Sequence, residues 1–235
     1  MLRQLYNWRE SMLHIFFPHT CSGCGSDNIN ADGQLCLSCL SELPRTDFEK
    51  WPDNPVFRKF TGRLPLTAAA SLLYFGRHSL TRQLMHRLKY RNDQPLGLQL
   101  GLLMGQQLAQ APHFQHIDVL VPLPLHKSRE RKRGYNQSLL LCRGISEAWN
   151  KKVNDKCVIR PEATNTQTRM DRLERWENMD GRFRASPEQC NGKNILLVDD
   201  VVTTGATMEA CGTALLKAGA NSVSLATLCY AAERL

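Results

Sequence analysis

Apolar positions follow three textures along this chain. Between 2 and 17, Leu2, Leu5, Tyr6, Met12, Leu13 and Phe16 sit at helical spacing and Pro18 closes the run, which predicts a short amphipathic helix. Its polar face is not strongly basic, so docking on the protein body is favoured over a membrane surface. From 44 to 65 the pattern breaks. Pro44, Pro52, Pro55 and Pro65 among polar residues predict a linker. Beyond it, apolar runs alternate with helical periodicity. A strand is predicted over 68–75, and a helix over 79–90 with Leu80, Leu84 and Leu88 on one face and Ser79 as cap. A helix over 96–110, a strand over 117–123 and a helix over 138–150 follow, then a short strand over 157–160. The unbroken apolar run 194–198 predicts a buried strand, followed by a turn, a helix over 207–218 ended by Gly219, and a last strand over 222–230. This alternation predicts parallel βαβ units and an α/β fold.

Composition narrows the classes. The chain has 235 residues, 42% of them apolar, too many for a disordered protein. No apolar run approaches the ~18 residues of a membrane span. The run 12–17 is short, interrupted by His14, and leads to no small-residue cleavage site, so no secretory leader is expected. The net charge of +8 is uneven. Residues 1–60 hold six basic and seven acidic side chains, and residues 61–235 hold 24 and 15. The larger part is therefore the one expected to attract phosphates, nucleotides or nucleic acid. Nine cysteines without regular spacing argue against a secreted disulfide scaffold and for a reducing, cytoplasmic setting.

Four of those cysteines form one unit, Cys21-x2-Cys24-x11-Cys36-x2-Cys39. Each C-x2-C turn lets two thiolates converge on one ion. Two such pairs give the closed tetrahedral site of structural Zn²⁺, with no open position for water. The competing readings are a redox dithiol, unliganded buried cysteines, and His19 as a substitute ligand. Phe17, Leu35 and Leu37 are expected to pack the module. Cys142, Cys157, Cys190, Cys211 and Cys229 read as small core residues. The expected division is 1–60, an N-terminal helix, zinc-ribbon-like module and linker, and 61–235, the α/β domain.

The strongest chemical signal is Asp199-Asp200-Val201-Val202-Thr203-Thr204-Gly205-Ala206-Thr207 after four apolar residues. Open α/β sheets bind ligands beyond the carboxyl ends of their strands. Backbone N–H groups, the dipole of the following helix and three threonine hydroxyls form an anion cradle there. The pattern resembles the 5-phosphoribosyl 1-pyrophosphate (PRPP) motif of type I phosphoribosyltransferases. That resemblance implies a type I phosphoribosyltransferase-like parallel sheet flanked by helices. It implies that Asp199 and Asp200 bind the ribose hydroxyls and are the catalytic pair, that Thr203, Thr204, Gly205, Ala206 and Thr207 bind the 5′-phosphate, and that Mg²⁺ accompanies PRPP.

A basic stretch follows the strand over 117–123. The same resemblance implies that Lys127, Arg129, Arg131, Lys132 and Arg133 there contact pyrophosphate; the residues themselves equally suit a grip on single-stranded nucleic acid beside Tyr135 or a solvated loop. Residues 160–184, with Arg169, Arg172, Arg175, Arg182 and Arg184, read as an ion-paired helix or a flap over the ligand. The whole layout is similar to the ComF family, which joins a four-cysteine zinc module to a phosphoribosyltransferase domain. Leu88-Lys89-Tyr90, Arg133–Gln137 and Thr164–Gln167 match further elements of it. The resemblance implies a role in DNA uptake during natural competence, with PRPP as ligand and phosphoribosyl transfer to an unnamed acceptor. The alternative is a non-catalytic module that binds single-stranded DNA or a partner helicase of the competence machinery.

Overall fold

The computed structural model describes residues 19–76, 79–161 and 182–232. The N-terminal helix expected over 2–17 and the segment Thr164–Gln167 with Arg169, Arg172 and Arg175 lie outside the described residues. The chain divides into two compact units, Met1–Leu43 and Pro44–Leu235.

The smaller unit is a cysteine knuckle followed by the short helix α1 (Leu37–Ser41), with Cys36 as its N-cap. Leu35 is buried, but Leu37 points to solvent and does not pack the module as expected; Phe17 lies outside the described residues.

The larger unit starts with the segment read from sequence as a linker, and that reading is overturned. Phe48–Lys50 forms a 3-10 turn and Pro55–Phe60 a helix, α2. Phe48, Val56, Phe60 and Leu64 are buried. Asn54 caps α2, accepting from Val56 N (3.0 Å) and Phe57 N (3.1 Å), while its amide donates to the carbonyls of Phe48, Trp51 and Ala69. Pro55 occupies the first helical position, where its missing N–H costs nothing. A proline taken as a breaker is thus a helix start, and residues 44–60 go with the α/β unit.

Five parallel strands follow, β1 (Ala69–Tyr74), β2 (Val119–Pro122), β3 (Lys152–Val153), β6 (Asn194–Val202) and β7 (Ser222–Tyr230), in the order β1-β7-β6-β2-β3. β4 (Val158–Ile159) and β5 (Arg184–Ala185) pair antiparallel in a separate ribbon. Ile195, Leu196, Leu197 and Val198 are fully buried, as a strand covered on both faces requires. The helices are α3 (Leu80–Tyr90), α4 (Gln94–Gln110), α5 (Lys127–Arg133), α6 (Gln137–Trp149), α7 (Pro187–Cys190) and α8 (Ala206–Lys217). α4 and α6 touch backbone to backbone. A methyl group on Gly101 would run into the Leu141 carbonyl, and one on Gly144 into that of Leu98. This contact fixes α6, whose first turn reaches the site described below. The five scattered cysteines are all buried, as expected of core residues. Among the described residues no helix is long and apolar enough to cross a membrane.

Candidate functional site

β6 runs four residues further than the sequence suggests. β2 accompanies it only to Pro122↔Val198, with a last bond from Leu123 N to the Val198 carbonyl (2.9 Å), whereas β7 pairs with it as far as Val202↔Tyr230. Among the described residues β6 therefore has no strand on its β2 side from Asp199 onward. The acidic pair lies within the strand, at the step where its neighbour has ended. This is the crevice at the carboxyl edge where ligands of such sheets bind.

The two carboxylates have different surroundings. Asp199 Oδ1 accepts from Ser138 Oγ (2.9 Å) and from the Asp200 backbone N–H (2.8 Å). Burial, and then the Asp200 charge, push the Asp199 carboxyl up to about 7. Asp200 Oδ2 faces Lys89 Nζ at 3.1 Å, with the side chains only 10% and 20% exposed.

Residues 133–138 tie these groups together. Tyr135 donates its hydroxyl to the Leu88 carbonyl in the last turn of α3. Arg133 sits over the Tyr90 ring (5.8 Å) and donates to Gln137 Oε1 (2.7 Å). Asn136 caps α6 by accepting from Ser138 N (3.0 Å), and its amide donates to the Leu123 carbonyl (3.0 Å). The Leu-Lys-Tyr element, the 133–137 element and the acidic pair, far apart in sequence, form one contiguous structure.

The turn 203–207 leads into α8. Thr203, Thr204, Ala206 and Thr207 are exposed, and Gly205 is buried. Gly205 has φ +78° and caps α8; a Cβ there would sit 2.6 Å from the Phe60 ring. Only glycine meets both demands. Behind the turn, Arg63 donates to the Thr204 carbonyl (3.0 Å) and pairs with Glu209 of α8. Phe60 and Arg63 were missed in the sequence because they lie in the supposed linker. Ser138 gave no signal of its own, and Lys89 entered only as part of a resemblance.

The basic stretch is not a loop. It forms α5, capped by His126, whose Nδ1 accepts from Ser128 N (3.3 Å), and ended by Gly134 at φ +81°. Lys127, Arg129, Arg131 and Lys132 are exposed, and Arg133 is half-buried. α5 leaves the same sheet edge as Asp199, since it follows β2 directly. Arg160 rests on the Phe183 ring (5.4 Å), and burial, with the charges of Arg129 and Arg182, holds its pKa below the ordinary arginine value.

In the smaller unit, the Sγ atoms of Cys21, Cys24, Cys36 and Cys39 all lie within 4.8 Å of one another. Cys24 and Cys36 are 3.6 Å apart. Zinc–sulfur bonds of about 2.3 Å in a tetrahedron put sulfurs about 3.8 Å apart, so the cluster fits that ion. Cys21 Sγ accepts from Cys36 N (3.2 Å) and Gly23 N (3.4 Å). Burial pushes the Cys21 thiol up, but these and the Cys24 backbone N–H outweigh it and bring it down to about 6. His19 is turned to the Gly33 carbonyl (2.6 Å) and is outside the cluster.

The Phosphoribosyl transferase domain family matches residues 159–235. The DNA utilization protein YhgH of Escherichia coli (strain K12) is 34% identical over 150 residues, covering 62% of this chain and 65% of YhgH. Less than two thirds of that relative is thus spanned. Competence protein F of Haemophilus influenzae is 25% identical over 214 residues, covering 89% of this chain and 83% of that protein. Competence protein ComFC of Bacillus subtilis is 27% identical over 230 residues, covering 94% and 88%. Carrying a phosphoribosyl transferase domain on a type I-like parallel sheet flanked by helices, and a four-cysteine cluster at its N-terminal end, the chain is a homologue of competence protein F, ComFC and YhgH.

Proposed function

We propose that this protein binds PRPP as its Mg²⁺ complex and acts in the handling of incoming DNA. Asp199 and Asp200 take the ribose hydroxyls. Thr203, Thr204, Gly205, Ala206 and Thr207 take the 5′-phosphate at the start of α8. Lys127, Arg129, Arg131, Lys132 and Arg133 stabilise pyrophosphate. The observation that carries the reading is the step in the sheet. β6 outruns β2 at Asp199, and its next turn is a glycine-bearing helix start seated on Phe60. Transfer would proceed by attack of an acceptor nucleophile on C1 of the ribose as the bond to the pyrophosphate oxygen breaks, with the electron pair leaving on pyrophosphate. Calorimetry with Mg-PRPP tests binding. Removing the carboxylate charge in Asp199→Asn or Asp200→Asn is expected to weaken it roughly 10–150-fold, the loss of one charge-assisted hydrogen bond. Unchanged affinity overturns the assignment. Pyrophosphate release across a panel of bases then decides between transferase and binding module.

A second reading is favoured by α5, where Lys127, Arg129, Arg131 and Lys132 are exposed. It binds single-stranded DNA, alone or with a partner helicase. Binding should then fall steeply with salt and with neutralisation of these four residues. We further infer that the four cysteines hold one structural Zn²⁺ and that the protein works in the reducing cytoplasm, where such thiols persist.

A further inference from the structure

We propose that Lys89 is the resident cation of the acidic pair: its ammonium fills the place beside Asp200 that a divalent ion would otherwise take, so any Mg²⁺ at this site arrives on the ligand's diphosphate. The part concerning the ligand rests on the phosphoribosyl reading; the part concerning the carboxylates does not.

Two adjacent carboxylates at a sheet edge would ordinarily be a candidate for a hard cation. Mg²⁺ asks for about six oxygens at about 2.0–2.1 Å. Here one oxygen of each carboxylate is already engaged. Asp199 Oδ1 accepts two hydrogen bonds, from Ser138 and the Asp200 N–H. Asp200 Oδ2 faces Nζ at 3.1 Å in a largely buried pair. An ion bound to Asp200 would stand against that ammonium, with little water to screen the repulsion. The acidic pair in this arrangement does not fit a protein-held Mg²⁺.

Lys89 is held there by its neighbours. It lies in the last turn of α3, where Leu88 gives its carbonyl to Tyr135 and Tyr90 packs under Arg133. The residues on both sides are thus fixed by the 133–137 segment, which also caps the helix carrying Ser138. One element therefore sets both the cation at Asp200 and the hydrogen bond at Asp199. Lys89 offsets the Asp200 charge, and burial pushes the neighbouring Asp199 carboxyl up to about 7. Such a site suits uncharged ribose hydroxyls. Lys89 is a positioning residue: it acts on Asp200, which meets the ligand.

The test titrates Mn²⁺ alone, followed by electron paramagnetic resonance, into the wild type, Lys89→Met, Lys89→Arg and the double variant Lys89→Met/Asp200→Asn. Wild type and Lys89→Arg are expected to hold no Mn²⁺ at the pair. Lys89→Met should gain one Mn²⁺ at least about tenfold tighter than wild type. The double variant should lose it again, and it also avoids an unpaired buried charge should Lys89→Met fail to fold. The second arm measures ribose 5-phosphate binding to wild type with and without added Mg²⁺, where equal affinity is expected. A wild type that binds Mn²⁺ through Asp200, a Lys89→Met variant that binds no better than wild type, or a tenfold loss of ribose 5-phosphate affinity when Mg²⁺ is left out overturns the proposal. Absence of ribose 5-phosphate binding under both conditions counts against the phosphoribosyl reading, while the Mn²⁺ arm still decides the role of Lys89.

Discussion

The four thiols of the cysteine cluster come from residues 21–39 alone, whereas the groups around Asp199 and Asp200 come from Phe60, Arg63, Lys89, Tyr135, Ser138 and the turn 203–207. The cluster is assembled by two tight turns within one short stretch. The acidic site is assembled by the sheet order, which brings β2 and α6 beside a strand that follows them by more than 40 residues. The cysteine cluster is thus expected to fail by losing the proposed ion, and the acidic site by losing its scaffold.

The largest expected effect follows from removing the metal. Zinc-dependent folding free energies run to about 10–16 kcal/mol in small four-ligand units. A strong chelator, or Cys21→Ser, should therefore open residues 19–43 to proteolysis, and metal analysis should find one Zn²⁺ per chain. A metal-free protein that resists cleavage there would break the contrast.

Next in size is Gly205→Ala. The substitution strains a left-handed residue and drives a methyl group into Phe60, for a cost of about 1–3 kcal/mol. Denaturant unfolding should show it together with weaker phosphate binding. Phe60→Leu in the same background should restore part of the binding, because the two sites are in contact. Strict additivity would mean that the turn does not rest on Phe60.

A smaller effect depends on pH. Asp199 titrates near 4 when unfolded, as an ordinary aspartate does. Its folded value is about 7, raised by burial and by Asp200, against the opposing pull of Ser138 and Lys89. The folded state therefore keeps a proton that the unfolded chain releases. The contribution of this group is full below about pH 4 and is lost as pH rises through about 7. Asp199→Asn should flatten that slope and raise the melting midpoint at about pH 8 by roughly 2–4 °C, what ~1 kcal/mol gives in a domain of this size. A melting midpoint that falls at that pH would contradict the assignment.

The smallest effect is expected for Arg63→Gln. Its ion pair with Glu209 is partly exposed, so stability should change by no more than about 1 kcal/mol. Phosphate affinity should drop a few-fold, since the Thr204 carbonyl loses its donor. A change in neither would leave Arg63 as surface decoration.

Legibility in the sequence followed this same division. The cysteine spacing, the acidic pair and the 203–207 turn are local patterns, and each is carried by residues within one short stretch. Alternating strands and helices likewise give the α/β class directly. The prolines of 44–65 misled because Pro55 has one meaning as a breaker and another at a helix start, and only the cap by Asn54 separates them. The basic stretch carries no helix signal in the sequence, because the seven-residue helix between His126 and Gly134 has no buried face to reveal it.

Residue order alone settles which residue types can do the chemistry: four thiols at metal-binding spacing, two carboxylates at the end of an apolar run, and a glycine where a helix begins. The tertiary structure alone decided how those carboxylates differ. Lys89 meets Asp200, and Ser138 meets Asp199, only because parallel pairing sets β2 and α6 beside β6 and then stops short. Burial and charge pairing depend on neighbours distant in the chain, and no local pattern encodes them.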